Sequence, residues 1–280
     1  MSRLFGYMAN EPDRIRCALW PVRAALATDV GENPDGWGIG FYQGGEVLLQ
    51  KRPKAPPGLV DFYAHLRDLR TDVVVGHVRS ATIGKSQKTE NTHPYRFRSW
   101  LFAHSGTLAR FPEIRDELLE SVPDFLRRNI RGQTDSEHIF HLFLAFLHDA
   151  GKLEDPNITT DAARSALKAT AAFLDRLVTA AGGGASELNL VATNGRIMLA
   201  VCRGRSMGIW NIGGIADCPV CRGTGEGRGE TRRVTHEHLR GVLLLSDGDA
   251  TQGPGWEPVP DNSVVTITHL LQAEIAPLRD

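Results

Sequence analysis

Residues 73–108 concentrate groups able to hold a small charged ligand. The stretch opens with VVVGHVRSATIG, carries NTHPY in its middle and closes with WLFAHSGTL. Two apolar runs, at 73–75 and 100–103, have strand length and strand composition. Each is followed by polar residues where a strand would leave its sheet: Gly76-His77-Val78-Arg79 after one, His104-Ser105-Gly106 after the other. Between them lies the polar segment Asn91-Thr92-His93-Pro94. A guanidinium, several hydroxyls and a glycine that leaves backbone N–H groups accessible suit a zwitterion or a carboxylate. The same pattern also describes two core strands joined by a long loop, and spacing alone does not separate the two readings.

Three further places carry potential chemistry. Ser2 stands behind Met1 and is small enough for that methionine to be removed, which would join a hydroxyl and a free α-amine on one residue. An α-amine titrates at roughly 7.7–8.0, close to neutrality. Ser2 could equally be no more than a small N-terminal residue. Asp135 lies in QTDSE at the start of a long apolar-periodic segment, where an acidic residue also serves as a helix cap. His138, His141 and His148 on that segment have spacing open to a metal but no companion carboxylate pattern. Cys218 and Cys221, in CPVCRGTG, resemble half of a zinc knuckle, and a structural zinc needs four ligands. His236 and His238, or a second cysteine pair from a symmetric dimer, could complete it. The alternative is a solvated loop with reduced thiols.

Six segments in one order resemble the stand-alone class II glutamine amidotransferases, which are N-terminal nucleophile (Ntn) hydrolases. They are MSRLFG at 1–6, NPDGWG at 33–38, GHVRSAT at 76–82, NTHPY at 91–95, FAHSG at 102–106 and TDSE at 134–137, over about the first half of the chain. The resemblance implies a four-layer αββα sandwich in which Ser2 is the nucleophile and its own amine the general base. It assigns Arg79 to the α-carboxylate of glutamine, with His77 and the hydroxyl of Thr82 (and of Ser80) nearby. Asp135 faces the α-amino group, and Ser105 with the Gly106 N–H holds the oxyanion. No cofactor is implied.

Two positions depart from the family at the chemistry. The family carries Cys where this chain has Ser2, and a hydroxyl depends more on its base than a thiol does. The family also carries Asn-Gly where this chain has Ser105-Gly106, and losing one oxyanion donor typically reduces rate by about 10²–10³. The function implied is cleavage of the γ-amide of glutamine, with ammonia passed to a separate synthase, or of another γ-glutamyl compound, as in the related ergothioneine-pathway amidohydrolases. The alternative is a catalytically silent member that binds a glutamine-like ligand or a protein partner, since the departures fall on chemical groups and the ligand-gripping residues remain.

The elements that must position these residues follow from periodicity. Residues 4–9 read as a buried strand, and 12–28 as a helix through Ile15, Leu19, Val22 and Leu26 with a kink at Pro21. A strand over 36–42 turns at Gly44-Gly45 into another over 46–52. Leu59, Phe62, Tyr63, Leu66 and Leu69 trace a helix face, and helices are expected over 112–121, from about Thr134 or Asp135 onward, and over 160–181. Strands over 188–192 and 197–202 meet at Asn194-Gly195, followed by strands at 207–212, 242–245 and 264–268, with Ser246-Asp247-Gly248 a turn. Residues 213–235, Gly-rich and basic, read as an exposed insertion in a single domain spanning 1–280.

Composition narrows the class. The chain has 280 residues, 41% hydrophobic and 23% charged, enough to bury a sizeable core. Its net charge of −1 exerts no global pull toward nucleic acid or an anionic membrane. No apolar run approaches a membrane span, no signal-peptide pattern opens the chain, and four cysteines do not make a disulfide scaffold. A cytoplasmic protein is the expectation.

Overall fold

A computed structural model describes residues 2–29, 34–54, 58–80, 88–222, 233–246 and 254–279. Two sheets face each other. One runs β13 (Trp256–Pro258), β11 (Met207–Ile212), β12 (Gly241–Ser246), β1 (Arg3–Ala9), β6 (Val73–Ser80), β3 (Pro34–Gln43), β4 (Glu46–Arg52). The other runs β15 (Ala273–Pro277), β14 (Ser263–Ile267), β10 (Met198–Cys202), β9 (Glu187–Thr193), β8 (Trp100–Thr107), β7 (Tyr95–Phe97). A two-stranded ribbon, β2 (Ala27–Asp29) with β5 (Leu59–Asp61), stands apart.

Side-chain alternation sorts every central strand between two cores. In β1, Leu4 and Met8 face the other sheet, while Phe5, Tyr7 and Ala9 face outward. In β8, Leu101 and Ala103 face the space between the sheets, while Trp100 and Phe102 face outward. Helices cover both outer faces. Behind the seven-stranded sheet lie α1 (Ile15–Leu19) and α2 (Phe62–Leu66). Behind the six-stranded sheet lie α3 (Phe111–Glu120), α4 (Asp124–Arg127), α5 (Asp135–Asp149) and α6 (Thr160–Ala180). Three separate hydrophobic cores therefore fill the three gaps of an αββα sandwich.

Several elements differ from their sequence reading. The helix expected over 12–28 ends at Leu19, because Pro21 removes a backbone donor and the chain continues as turns into β2. Leu59 lies in β5 and is exposed, so the face beginning there starts at Phe62. The strands opened by VVV and WLFA run on through Ser80 and Thr107, so the polar residues expected beyond them are strand residues. The short strands β2, β5, β7, β13 and β15 had no readable alternation. The insertion at 213–235 is not wholly exposed: Ile215 bridges His236, and Cys218 is completely buried. Thr134, rather than Asp135, is the N-cap of α5, its hydroxyl accepting from the Glu137 N–H at 3.2 Å. Thr82 and the Asp247-Gly248 turn lie outside the described residues.

Candidate active site

Strand pairing gathers the polar residues at one end of the inter-sheet space. Leu4 pairs with His77 and Arg3 with Val78, so Ser2 continues β1 toward Arg79. On the other side of β1, the Leu4 N–H donates to the Ser246 hydroxyl at 3.0 Å. His77 and Arg79 share the face of Val73 and Val75, and Ser2 and Ser246 share the faces of Leu4 and Leu244, all turned toward the second sheet. From that sheet, Ser105 shares the face of Leu101 and Ala103. Ser105, at 2% exposure, is fully enclosed.

The backbone of β8 adds a donor. The Leu188 N–H bonds to the Arg203 carbonyl, on the side of β9 away from β8. Leu188 and its partner Gly106 therefore form a non-hydrogen-bonded pair, and the Gly106 N–H points away from β9. It points to the edge along which β7 pairs only as far as Trp100–Phe102. One step further along that edge, the Leu108 N–H donates to Asp135 Oδ2 at 2.9 Å. Asp135 Oδ1 accepts from the Ser136 N–H, also at 2.9 Å, so the carboxylate ties the start of α5 to the end of β8. Gly106 is needed here sterically: an added Cβ would stand 2.2 Å from the Glu187 carbonyl oxygen.

A buried polar ladder joins β6 to α5. The His77 and His93 rings lie 4.3 Å apart, and His93 meets Tyr95 at 4.8 Å. The Tyr95 and Thr134 hydroxyls share a hydrogen bond of 2.6 Å. The NTHPY segment is held down at both ends. Asn91 Oδ1 accepts from the Gln133 N–H at 3.0 Å, and a Cβ on Gly38 would stand 2.2 Å from the His93 carbonyl oxygen. His93 precedes a cis proline.

Electrostatics divide these groups into neutral and charged. Burial, with His104, Arg79 and Arg205 adding to it, lowers the His77 pKa to about 3. His93 is pushed well below the ordinary range by the same means. His77 Nε2 and both His93 ring nitrogens have no hydrogen-bond partner among the described residues. His104 is also shifted down by burial; its Nε2 lies 3.1 Å from the Glu187 carbonyl, which can only accept, so Nε2 carries the proton and Nδ1 accepts from the Ser136 hydroxyl at 2.9 Å. At neutral pH the histidines are dipoles, and Arg79 is the cation contributed by β6.

Some neighbours had no sequence signal. Lys51 pairs across from Gly38, and burial lowers its pKa to about 8 against the opposing pull of Glu137 and Glu90. Ser246 ends an apolar strand and is visible only through its register with β1. The three helix histidines do not converge on a metal: His138 and His141 each donate Nδ1–H to a carbonyl one turn back, at 2.7 and 2.8 Å, and His148 is on the surface. Cys218 and Cys221 meet His236 and, unexpectedly, Cys17 of α1. His238 is not part of that group, and no second subunit is needed to fill it.

The family profile described as glutamine amidotransferases class-II matches residues 1–212. The chain is 26% identical over 236 residues to the gamma-glutamyl-hercynylcysteine sulfoxide hydrolase of Mycolicibacterium smegmatis, across 84% of this chain and 78% of that protein. It is 30% identical over 151 residues to the "Probable glutamine amidotransferase DUG3" of Saccharomyces cerevisiae, across 51% of this chain and 42% of that protein. The matches to that and several other curated relatives span about half their length or less. A class-II glutamine aminotransferase domain protein from Silicibacter pomeroyi superposes with a TM-score of 0.58 at 17% identity, over 99% of this chain and 100% of that one. The glutamine phosphoribosylpyrophosphate amidotransferase of B. subtilis superposes at 0.57 with 16% identity, over 99% of this chain and 49% of that one. The structural likenesses show the αββα fold of the Ntn hydrolases, and with the profile over 1–212 the chain belongs to the class II glutamine amidotransferases.

Proposed function

We propose that the chain is an amidohydrolase that cleaves the γ-amide of glutamine or of a γ-glutamyl compound with Ser2 as an N-terminal nucleophile, all within one domain. The observation that carries this reading is the convergence of Ser2, Arg79, Ser105 and the Gly106 edge at one end of the inter-sheet space. After removal of Met1, the Ser2 amine takes the proton from its own hydroxyl as the oxygen attacks the amide carbon. The same proton then goes to the departing nitrogen, and water activated by the amine hydrolyses the acyl-enzyme. Ser105 and the Gly106 N–H receive the oxyanion, Arg79 pairs with the α-carboxylate, and Asp135 takes the α-amino group. Thr82 and His77 complete the ligand contacts, His77 as a neutral dipole.

The relative from M. smegmatis favours a γ-glutamyl small molecule. Glutamine itself, with ammonia handed to a separate synthase, is the other member of the class. A second reading, a silent binding module, rests on the paired departures Ser2 and Ser105, which leave the gripping residues intact.

Intact mass after incubation with an electrophilic glutamine analogue tests the proposal. The expected result is loss of the Met1 mass plus one adduct, abolished in Ser2→Ala. Retained Met1 would leave the base locked in an amide and end the mechanism. Processed protein without an adduct would favour the binding module.

A further inference from the structure

We propose that Cys17, Cys218, Cys221 and His236 hold one structural zinc ion. Their ligand atoms all lie within 4.8 Å of one another. A tetrahedral zinc with Zn–S of about 2.3 Å and Zn–N of about 2.0–2.1 Å sets sulfurs about 3.8 Å apart, and sulfur and nitrogen about 3.5 Å apart. The Cys17 and Cys221 sulfurs are 3.5 Å apart, and Cys221 Sγ lies 3.5 Å from His236 Nε2. A disulfide would need about 2.05 Å, so these thiols approach without bonding. The grouping is also too tight for an iron–sulfur cluster, whose ligands surround several metal atoms. It fits a single small ion.

The surroundings are built for that ion. Cys17, Cys218 and His236 are buried, and Cys221 is partly so. The Ile215–His236 bridge and the Cys218 N–H to the Val234 carbonyl (2.8 Å) form the stem of the insertion. The Arg222 N–H donates to the Cys218 carbonyl at 3.1 Å, closing the turn that brings Cys221 back beside Cys218. Three soft sulfurs and an imidazole suit zinc, whose binding would release the thiol protons to solvent. All four positions come from protein, leaving none open for substrate, so the role is structural. The site is also remote from the chemistry: α1 packs on the outer face of the seven-stranded sheet with Phe5 and Tyr7, opposite the face of Ser2. The ion would clamp the insertion, which begins after residue 212 where the family match ends, onto the N-terminal helix.

Cys202 supplies the control, since its sulfur is directed at the Arg205 and Val259 carbonyls in the inter-sheet core. Elemental analysis of the full chain, purified reduced and without chelator, is expected to give about one zinc per chain. Cys221→Ser, which alters the least buried ligand, should lower zinc content by about tenfold, whereas Cys202→Ala should retain it. Cobalt loaded into the unaltered chain should give intense tetrahedral d–d bands and thiolate charge-transfer absorption, a readout that needs no variant to fold. Zinc content near zero with only weak octahedral cobalt bands would overturn the proposal, as would one equivalent of iron or zinc that survives Cys221→Ser.

Discussion

Gly106→Ala probes the link between packing and chemistry. The new methyl would stand 2.2 Å from the Glu187 carbonyl oxygen, 2.7 Å from its carbon and 2.8 Å from His104 Nε2. The first two atoms belong to the backbone of β9, so no rotamer change relieves them. Reaching van der Waals distance requires moving β8 and β9 apart by about 1 Å, a strain of about 1–3 kcal/mol for overpacking. The same displacement weakens the 3.1 Å bond between His104 and Glu187, worth about another 1 kcal/mol. It also carries the Gly106 N–H away from the oxyanion position proposed above, and a misplacement of about 1 Å can reduce rate about 10²-fold. Labelling of Ser2 by the glutamine analogue, followed by intact mass against time, is expected to slow about a hundredfold while the melting temperature falls by several degrees. A lowered melt with unchanged labelling would refute the role given to this N–H. No change in either would refute the clash.

Two further outcomes follow from buried charge. His77 titrates at about 3 when folded and about 6.5 when unfolded, so between those values only the unfolded chain binds the proton. Its contribution to stability is full above about pH 6.5 and declines by about 1.4 kcal/mol per unit as pH falls toward 3. Denaturant midpoints at pH 7, 6 and 5 should decline less steeply in His77→Gln, by about one proton's worth of slope; equal slopes would contradict the assignment. Asp175 meets the buried Arg203 guanidinium through two bonds of 3.0 and 2.7 Å and also Arg279. Asp175→Ala leaves that guanidinium without its anion and should destabilise by about 3–5 kcal/mol in denaturant titration, with Ser2 labelling unaltered at temperatures where the variant is folded.

What was legible in the sequence depended on how locally each feature is encoded. The Asn194-Gly195 hairpin and the Gly44-Gly45 turn are written in adjacent residues and formed where expected. The helix over 12–28 was overread because apolar spacing continued past Pro21, and periodicity does not register a missing donor. The ends of β6 and β8 were underread because His77, Arg79 and Ser105 are polar, and their strand conformation is set by neighbours β1, β3 and β9 rather than by their own propensity. The motifs single out the candidate residues, but that His77, Arg79 and Ser105 face the same inter-sheet space follows only from the register. Cys17 shows the limit most plainly: an isolated cysteine on a short helix, some 200 residues from its companions, carries no spacing signal at all.

The place of β1 has a consequence for biosynthesis. It lies between β6 and β12, so the strand that carries Ser2 gains its second neighbour only from residues 241–246. The Leu4 N–H, beside the proposed nucleophile, waits for the hydroxyl of Ser246. A nascent chain that has emerged as far as residue 212 contains every motif of the family match and still lacks that neighbour. Loop closure over some 240 residues makes this one of the slowest contacts to form. A ribosome-bound chain should therefore hold its N-terminus in an unfinished sheet, accessible to a peptidase, and complete the surroundings of Ser2 only after residues 241–246 have emerged.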